Sequence, residues 1–339
     1  VPAILLVKTS SLGDVVHNLP VATDIRRALP AARIDWLVEE SFTAIPGLHP
    51  ALSRVIACAP RRWRRTLLRP DTWQEIRELR AVLHEIAYDF VIDTQGLLKS
   101  ALVSRLAPGA RHGLDWRSSR EPLRWLYDAV HAVPWGIHAV ERNRALAAQA
   151  LGFTVSGQAD YGIAPPKFPP SADEDDSPAD VDRPWLEPAE RYAWVPSGPF
   201  AVFLHGTSAE RKLWPEHQWK KLAAHYAGAG IACVLPWGGP AEHARSDRIA
   251  DGLRDVIVPP RMGLHALAGL LGRAQFVVGV DTGLAHLAAA LRRPTVGIYV
   301  ATDPQATGVY APEVAVNVGS ASGAPSLAAV LDAVGKVTA

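Results

Sequence analysis

Apolar residues follow two rhythms along this chain. Short runs rich in Val, Ile and Leu alternate with stretches where apolar positions recur every three or four residues. The runs at 3–7, 33–38, 54–58 and 90–93 predict buried strands, and the stretches at 13–29, 72–86 and 97–106 predict helices. In the second of these helices Trp73, Ile76, Leu79, Leu83 and Ile86 fall on one face. Pro20 lies inside the first, so a break is expected there, with Asn18 capping a restarted helix. After Leu151 the rhythm stops. Residues 165–199 are rich in proline and acid, including Asp173-Glu174-Asp175-Asp176, and hold too little apolar surface to offset their ordering entropy. A second strand–helix series starts at Phe200, with strands expected at 200–204, 231–235, 256–258, 276–279 and 295–298. It closes in a short amphipathic helix at 327–337, and no internal sequence repeat has a fixed period.

Repeated β–α alternation predicts parallel sheets covered by helices on both faces. At 339 residues the chain is long enough for two such domains. The expected layout is a first Rossmann-like domain at 1–165, a linker with a mobile insertion at 166–199, and a second Rossmann-like domain at 200–325. The last helix, 326–339, is expected to pack back on the first domain. The fold class is therefore α/β: two Rossmann-like, doubly wound domains facing each other across a cleft. Ligands of open α/β sheets bind at the carboxyl ends of the strands, so motifs just after strands carry the most weight.

Composition narrows the class. The chain is 48% hydrophobic and 20% charged, and no apolar run reaches the roughly 18 residues of a membrane span. Its start reads as a strand and not as a signal peptide. Cys58 and Cys233 sit in apolar runs and are expected as buried free thiols, in keeping with a cytoplasmic protein. The net charge of +1 is unevenly spread: residues 1–165 hold 20 Lys and Arg against 16 Asp and Glu, the remainder 15 against 18. A basic first half suggests an anionic partner.

Three segments carry chemistry. Lys8-Thr9-Ser10-Ser11-Leu12-Gly13-Asp14 follows the first strand. Asp14 there either complements a helix dipole or acts as a general base on an acceptor hydroxyl. His205-Gly206-Thr207-Ser208, running on to Lys212-Leu213-Trp214-Pro215, follows the first strand of the second series. It offers hydroxyls and an amine to phosphate oxygens, or is an ordinary polar loop. Asp281-Thr282-Gly283-Leu284-Ala285-His286 joins an apolar strand to a helix whose N-terminus is a ready anion site. Asp281 and His286 flank that site, or serve as an N-cap and a helix histidine. The P-loop pattern and Gly-x-Gly-x-x-Gly are absent.

Together these segments resemble the ADP-heptose:lipopolysaccharide heptosyltransferase family. Leu235-Pro236-Trp237-Gly238 with Glu242, the segment Asp93 to Ser100 and the segment Asp115 to Pro122 fit the same pattern. The Ser-Ser-Leu-Gly-Asp opening and Arg61-Arg62-Trp63-Arg64-Arg65 are most similar to the branch that adds the first heptose. The resemblance implies an inverting, single-displacement transfer from ADP-heptose to the Kdo of Kdo2-lipid A. It implies Asp14 as the base and Lys212 beside the diphosphate. Thr207 and Ser208 would bind phosphate, Glu242 the ribose and the Met262 backbone the adenine. Asp281 would meet the donor sugar, while Thr282, Gly283 and His286 hold the diphosphate. No tightly bound cofactor and no metal is expected.

Arg61, Arg62, Arg64, Arg65 and Arg120 are candidate acceptor binders, since arginine grips carboxylates and phosphates bidentately. The arginine run also suits an anionic membrane surface, placing the protein peripherally on the cytoplasmic face of the inner membrane. Nucleic acid is not an expected partner, because the chain is nearly neutral overall. A monomer is the default. The alternatives are a later-acting heptosyltransferase (II or III) and a different nucleotide-sugar-binding GT-B protein.

Overall fold

A computed structural model describes residues 1–175, 177 and 191–339. Half of the expected insertion around 171–182 lies outside the described residues. The chain divides into two compact units, Val1–Ile163 and Ala164–Ala339.

The first unit is a six-stranded parallel sheet in the order β3-β2-β1-β4-β5-β6. Its strands are β1 (Ala3–Val7), β2 (Arg33–Glu39), β3 (Arg54–Cys58), β4 (Phe90–Asp93), β5 (Ala110–Leu114) and β6 (Ala129–His131). Central β1 reads Ala-Ile-Leu-Leu-Val and is buried from Ile4 to Val7, as a parallel strand covered on both faces must be. The helix Pro70–His84 starts with proline, whose missing N–H costs nothing at that position, and lays Leu79 and Leu83 against the sheet. Trp73, expected on the same buried face, is 53% exposed.

The helix Leu12–Ala28 runs unbroken through Pro20, against the expected interruption. Proline costs a helix one N–H donor, and tertiary packing makes up for it here. The helix is almost wholly buried, and the Asn143 amide from the helix Ala139–Leu151 donates to the His17 carbonyl at 3.3 Å. Asn18 is therefore an interior helix residue and not a cap.

The second unit repeats the topology without repeating the sequence. Its strands are β7 (Phe200–Leu204), β8 (Ala232–Val234), β9 (Val256–Ile257), β10 (Phe276–Val280), β11 (Thr295–Tyr299) and β12 (Ala315–Gly319). They form a parallel sheet in the order β12-β11-β10-β7-β8-β9. Phe203, Trp214, Trp219, Val278 and Ile298 build its core. The last helix, Leu327–Thr338, gives its buried residues Val330, Ala333 and Val334 to this same core.

The described part of the linker is also tied to the second unit. Asp175 accepts from Arg191 at 2.9 Å and from the Tyr192 hydroxyl at 3.0 Å, and Ser177 Oγ accepts from the Gly263 N–H at 3.0 Å. No described helix is long and apolar enough to cross a membrane.

Candidate functional site

In each sheet the chain runs outward on one side of the first strand and returns on the other. Loops leaving β1 and β4, and those leaving β7 and β10, therefore diverge and open a crevice at the strands' carboxyl ends.

In the second unit the crevice lies between His205-Gly206-Thr207-Ser208, after β7, and Asp281-Thr282, after β10. Thr207 Oγ1 donates to the Asp281 carbonyl at 3.0 Å and ties the two loops. Asp281 Oδ2 accepts from Lys212 Nζ at 2.7 Å and from Thr302 Oγ1 at 2.8 Å. His286 Nε2 stands 3.9 Å from Asp281 Oδ1, within ion-pair but beyond hydrogen-bond range. Burial works against ionising Asp281, but His286, Lys212 and Thr302 overcome it and hold the carboxyl well below its ordinary value. The helix Gly283–Ala290 starts here with Thr282 as N-cap, and the Thr282 side chain makes no capping bond. Its first N–H groups and dipole thus face the crevice as an anion site.

Glu242 comes from the helix Pro240–Ala250, after β8. Its Oε2 accepts from the Gly238 N–H at 2.7 Å. The carboxylate rests against Gly206, where a Cβ would stand 2.5 Å from Oε1. His205 Nε2 and Ser246 Oγ lie 2.7 Å apart, and Ser246 Oγ donates to the Leu235 carbonyl, so the loop after β7 is pinned to the helix that carries Glu242. Met262, after β9, is buried, and Ser208 is exposed.

In the first unit Asp14 Oδ2 accepts from both the Ser11 N–H and the Ser11 hydroxyl, each at 2.8 Å. Asp14 lies in the first turn of the helix Leu12–Ala28, where its charge complements the dipole, and both bonds fall on one oxygen. Gln95, after β4, bridges the crevice: its Oε1 accepts from the Thr9 N–H at 2.8 Å and its Nε2 donates to the Ser10 carbonyl at 2.6 Å. Lys8 is buried, donating to the Thr94 carbonyl at 2.9 Å, and burial pulls its pKa down against the pull of Asp14 and Asp93. Lys99 Nζ bonds Ser10 Oγ, and burial followed by the Arg61 charge lowers its pKa too.

The arginine run divides. Arg62 Nη1 donates to both Glu75 oxygens at 2.8 and 2.9 Å, and its Nε and Nη2 donate to the two Glu40 oxygens at 3.2 and 3.0 Å, so its guanidinium is engaged by two carboxylates. Trp63 between the arginines is buried. Arg61 lies over the Phe42 ring, while Arg64 and Arg65 are exposed and form no ion pair among the described residues. Arg120 is exposed, and its charge reaches Lys8 and Arg142. A groove of about 400 Å³ opens at the free edge of β3, lined by Arg62, Glu75 and Leu79; no donor-side candidate lines it. Cys58 and Cys233 are free and buried, with burial raising both thiols, Cys233 to about 12.

The sequence reading left out Thr302, Gln95, Lys8 and Lys99 as site residues. Thr302 and Gln95 each follow a strand's carboxyl end, which was the usable signal. Among the described residues no group of three or more His, Cys, Asp or Glu side chains is placed to hold a metal.

Two doubly wound units, the second with a lysine–aspartate pair and a helix N-terminus at its switch point, define a protein built around an anionic, nucleotide-like ligand. Comparison with known proteins narrows this class. Residues 76–331 match glycosyltransferase family 9 (heptosyltransferase). The chain is 44% identical over 310 residues to lipopolysaccharide heptosyltransferase 1 of Escherichia coli strain K12, covering 91% of this chain and 90% of that one. It is 45% identical over 315 residues to the Pseudomonas aeruginosa protein of the same name, covering 91% and 81%. The solved structure of the E. coli heptosyltransferase WaaC with ADP superposes with a TM-score of 0.84 at 39% identity, covering 99% of both chains. This chain belongs to glycosyltransferase family 9, the heptosyltransferases, and its two Rossmann-like units are those of the GT-B class.

Proposed function

We propose that this protein is an inverting transferase moving L-glycero-D-manno-heptose from ADP-heptose to the Kdo of Kdo2-lipid A, the first heptose of the lipopolysaccharide inner core. The observation that carries this reading is the contrast among relatives. Identity is 44% to the E. coli type 1 enzyme but 22% to the type 3 enzyme of the same organism. The later-acting transferases are thereby disfavoured.

In this mechanism Asp14 takes the proton of the attacking hydroxyl as the acceptor oxygen bonds to the anomeric carbon from the face opposite ADP. The capping bonds on Oδ2 orient the carboxylate and leave Oδ1 for the proton. Negative charge grows on the departing diphosphate. Lys212, the N–H groups at Thr282 and Gly283, and His286 meet it with preorganised donors. Thr207 and Ser208 add hydroxyl donors, Glu242 takes the ribose hydroxyls, and the Met262 backbone takes the adenine. Asp281 orients Lys212 and accepts from a donor-sugar hydroxyl. Arg61, Arg62, Arg64, Arg65 and Arg120 bind the acidic acceptor. Such an acceptor is lipid-linked, so the protein works peripherally on the cytoplasmic face of the inner membrane.

Purified protein given ADP-heptose and heptose-free Kdo2-lipid A should release ADP. Turnover confined to an acceptor that already carries heptose would overturn the type 1 reading and favour a later step.

A further inference from the structure

Large apolar side chains are exposed in one unit only. Apart from Val1, every exposed large hydrophobic among the described residues lies between Leu67 and Ile137, in the first unit. The same unit holds the basic excess. Apolar residues exposed side by side, unlike single ones, mark an interaction surface.

Its sharpest point is the segment 66–72, a loop at 66–69 that runs into the first turn of the helix Pro70–His84. Leu68 is 100% exposed, Leu67 48% and Trp73, one residue beyond, 53%. This loop is braced. Thr72 Oγ1 donates to the Thr66 carbonyl at 2.8 Å, the Trp73 indole donates to the Leu67 carbonyl at 2.8 Å, and the Arg69 N–H donates to the Thr66 carbonyl at 2.9 Å. Three bonds hold a fully exposed leucine in one place, so its display is built into the fold. Arg64, Arg65 and Arg69 flank it in sequence, all exposed, and no acidic residue occurs from 61 to 70. Asp71, the first, meets Arg69 only at 3.5 Å on open surface.

We propose that the segment 66–72, with Trp73 beside it, is a wedge that docks the first unit on an anionic phospholipid bilayer. Leu67, Leu68 and Trp73 enter the acyl boundary, and Arg64, Arg65 and Arg69 meet lipid phosphates. The charge pattern selects this occupant: an apolar tip ringed by arginine matches a surface whose interior is apolar and whose headgroups are negative. A tryptophan beside the tip suits the headgroup level, where one end of the ring is wet. The inference deepens the proposed peripheral location and rests on it for its biological setting, but vesicle binding tests it without catalysis.

The probe is vesicles of phosphatidylglycerol or of phosphatidylcholine, with no sugar substrate present. The native cysteines are buried, so a polarity-sensitive dye on Leu68→Cys reports the tip alone. We expect co-sedimentation with phosphatidylglycerol vesicles that weakens with salt, and a blue shift of the dye on binding. Leu67→Ser with Leu68→Ser should lower partitioning by about ten-fold or more, with an unchanged circular dichroism spectrum. Transfer to a soluble, deacylated Kdo acceptor should be unaffected. The wedge is overturned if the double variant partitions like wild type, or if the dye still reports water in sedimented protein. It is also overturned if the variant loses transfer to the soluble acceptor, which would assign the loop to the acceptor site. A dimer in sedimentation equilibrium that the double variant abolishes would make a second copy the occupant. Absence of heptosyl transfer with intact vesicle binding would sink the proposed function and leave the wedge standing.

Discussion

A methyl group added at Gly206 meets the Glu242 carboxylate before it meets anything else. The Cβ of Gly206→Ala would lie 2.5 Å from Glu242 Oε1 and 2.6 Å from its Cδ. Ordinary contact is about 3.5 Å, so the carboxylate must retreat by about 1 Å. Gly206 does not have the left-handed backbone that disfavours alanine, so the effect is steric. Retreat strains the 2.7 Å bond from the Gly238 N–H and draws Glu242 from the position proposed for the ribose hydroxyls. A hydrogen bond to a charged group contributes about 1.5–3 kcal/mol, equivalent to roughly 10- to 100-fold in affinity. The ribose is remote from the reacting bond, so that loss falls on uniform binding. With saturating acceptor and varied ADP-heptose, KM should rise about 10- to 100-fold while kcat stays within about three-fold. Glu242→Ala should act in the same direction. The double variant should be no worse than Glu242→Ala alone, because both changes remove one contact. Additive losses, or an unchanged donor KM in Gly206→Ala, would refute the reasoning.

Three further outcomes follow from the same geometry. Asp14→Asn should lower kcat by about 10²–10⁴-fold while ADP-heptose still binds by calorimetry; normal turnover would place the base elsewhere. Lys212→Met should lower kcat/KM by about 10²–10³-fold. It should also weaken Asp281's hold on its proton-free state, so the stability that the carboxylate contributes above its ordinary pKa and loses as pH falls should shrink in urea titrations. Burial keeps His205 neutral, with its pKa lowered to about 4. The folded chain therefore resists a proton that the unfolded chain accepts, so the contribution of this group to stability is full above about pH 6.5 and declines by about 1.4 kcal/mol per pH unit down to about 4. In His205→Gln that slope should be shallower by one proton, and equal slopes would contradict the assignment.

How legible the chain was depended on where each element sits in its sheet. Central strands such as β1 and β10 are apolar throughout because both faces are covered. The strands β5, β6 and β12 escaped the reading. Ala-Arg-His-Gly-Leu, Ala-Val-His and Ala-Val-Asn-Val-Gly lie toward sheet edges, where exposure admits polar residues and erases the pattern. The uninterrupted helix around Pro20 was illegible for a related reason, since the burial that holds it, in part against the helix Ala139–Leu151, comes from residues remote in sequence.

The sequence by itself determined the double β–α alternation, the motifs after β1, β7 and β10, and the uneven charge. All of these are local patterns, or sums over residues. The tertiary structure alone decided which of those residues meet. Strand order made β10 the neighbour of β7, and so joined Lys212, Asp281 and Thr302 in one hydrogen-bonded group. It placed Gln95 across the first crevice, spent Arg62 on two carboxylates and left Leu68 fully in the open. Periodicity records what one element needs to bury. It carries no information on which remote side chain will satisfy a charge, because that depends on how the strands are ordered.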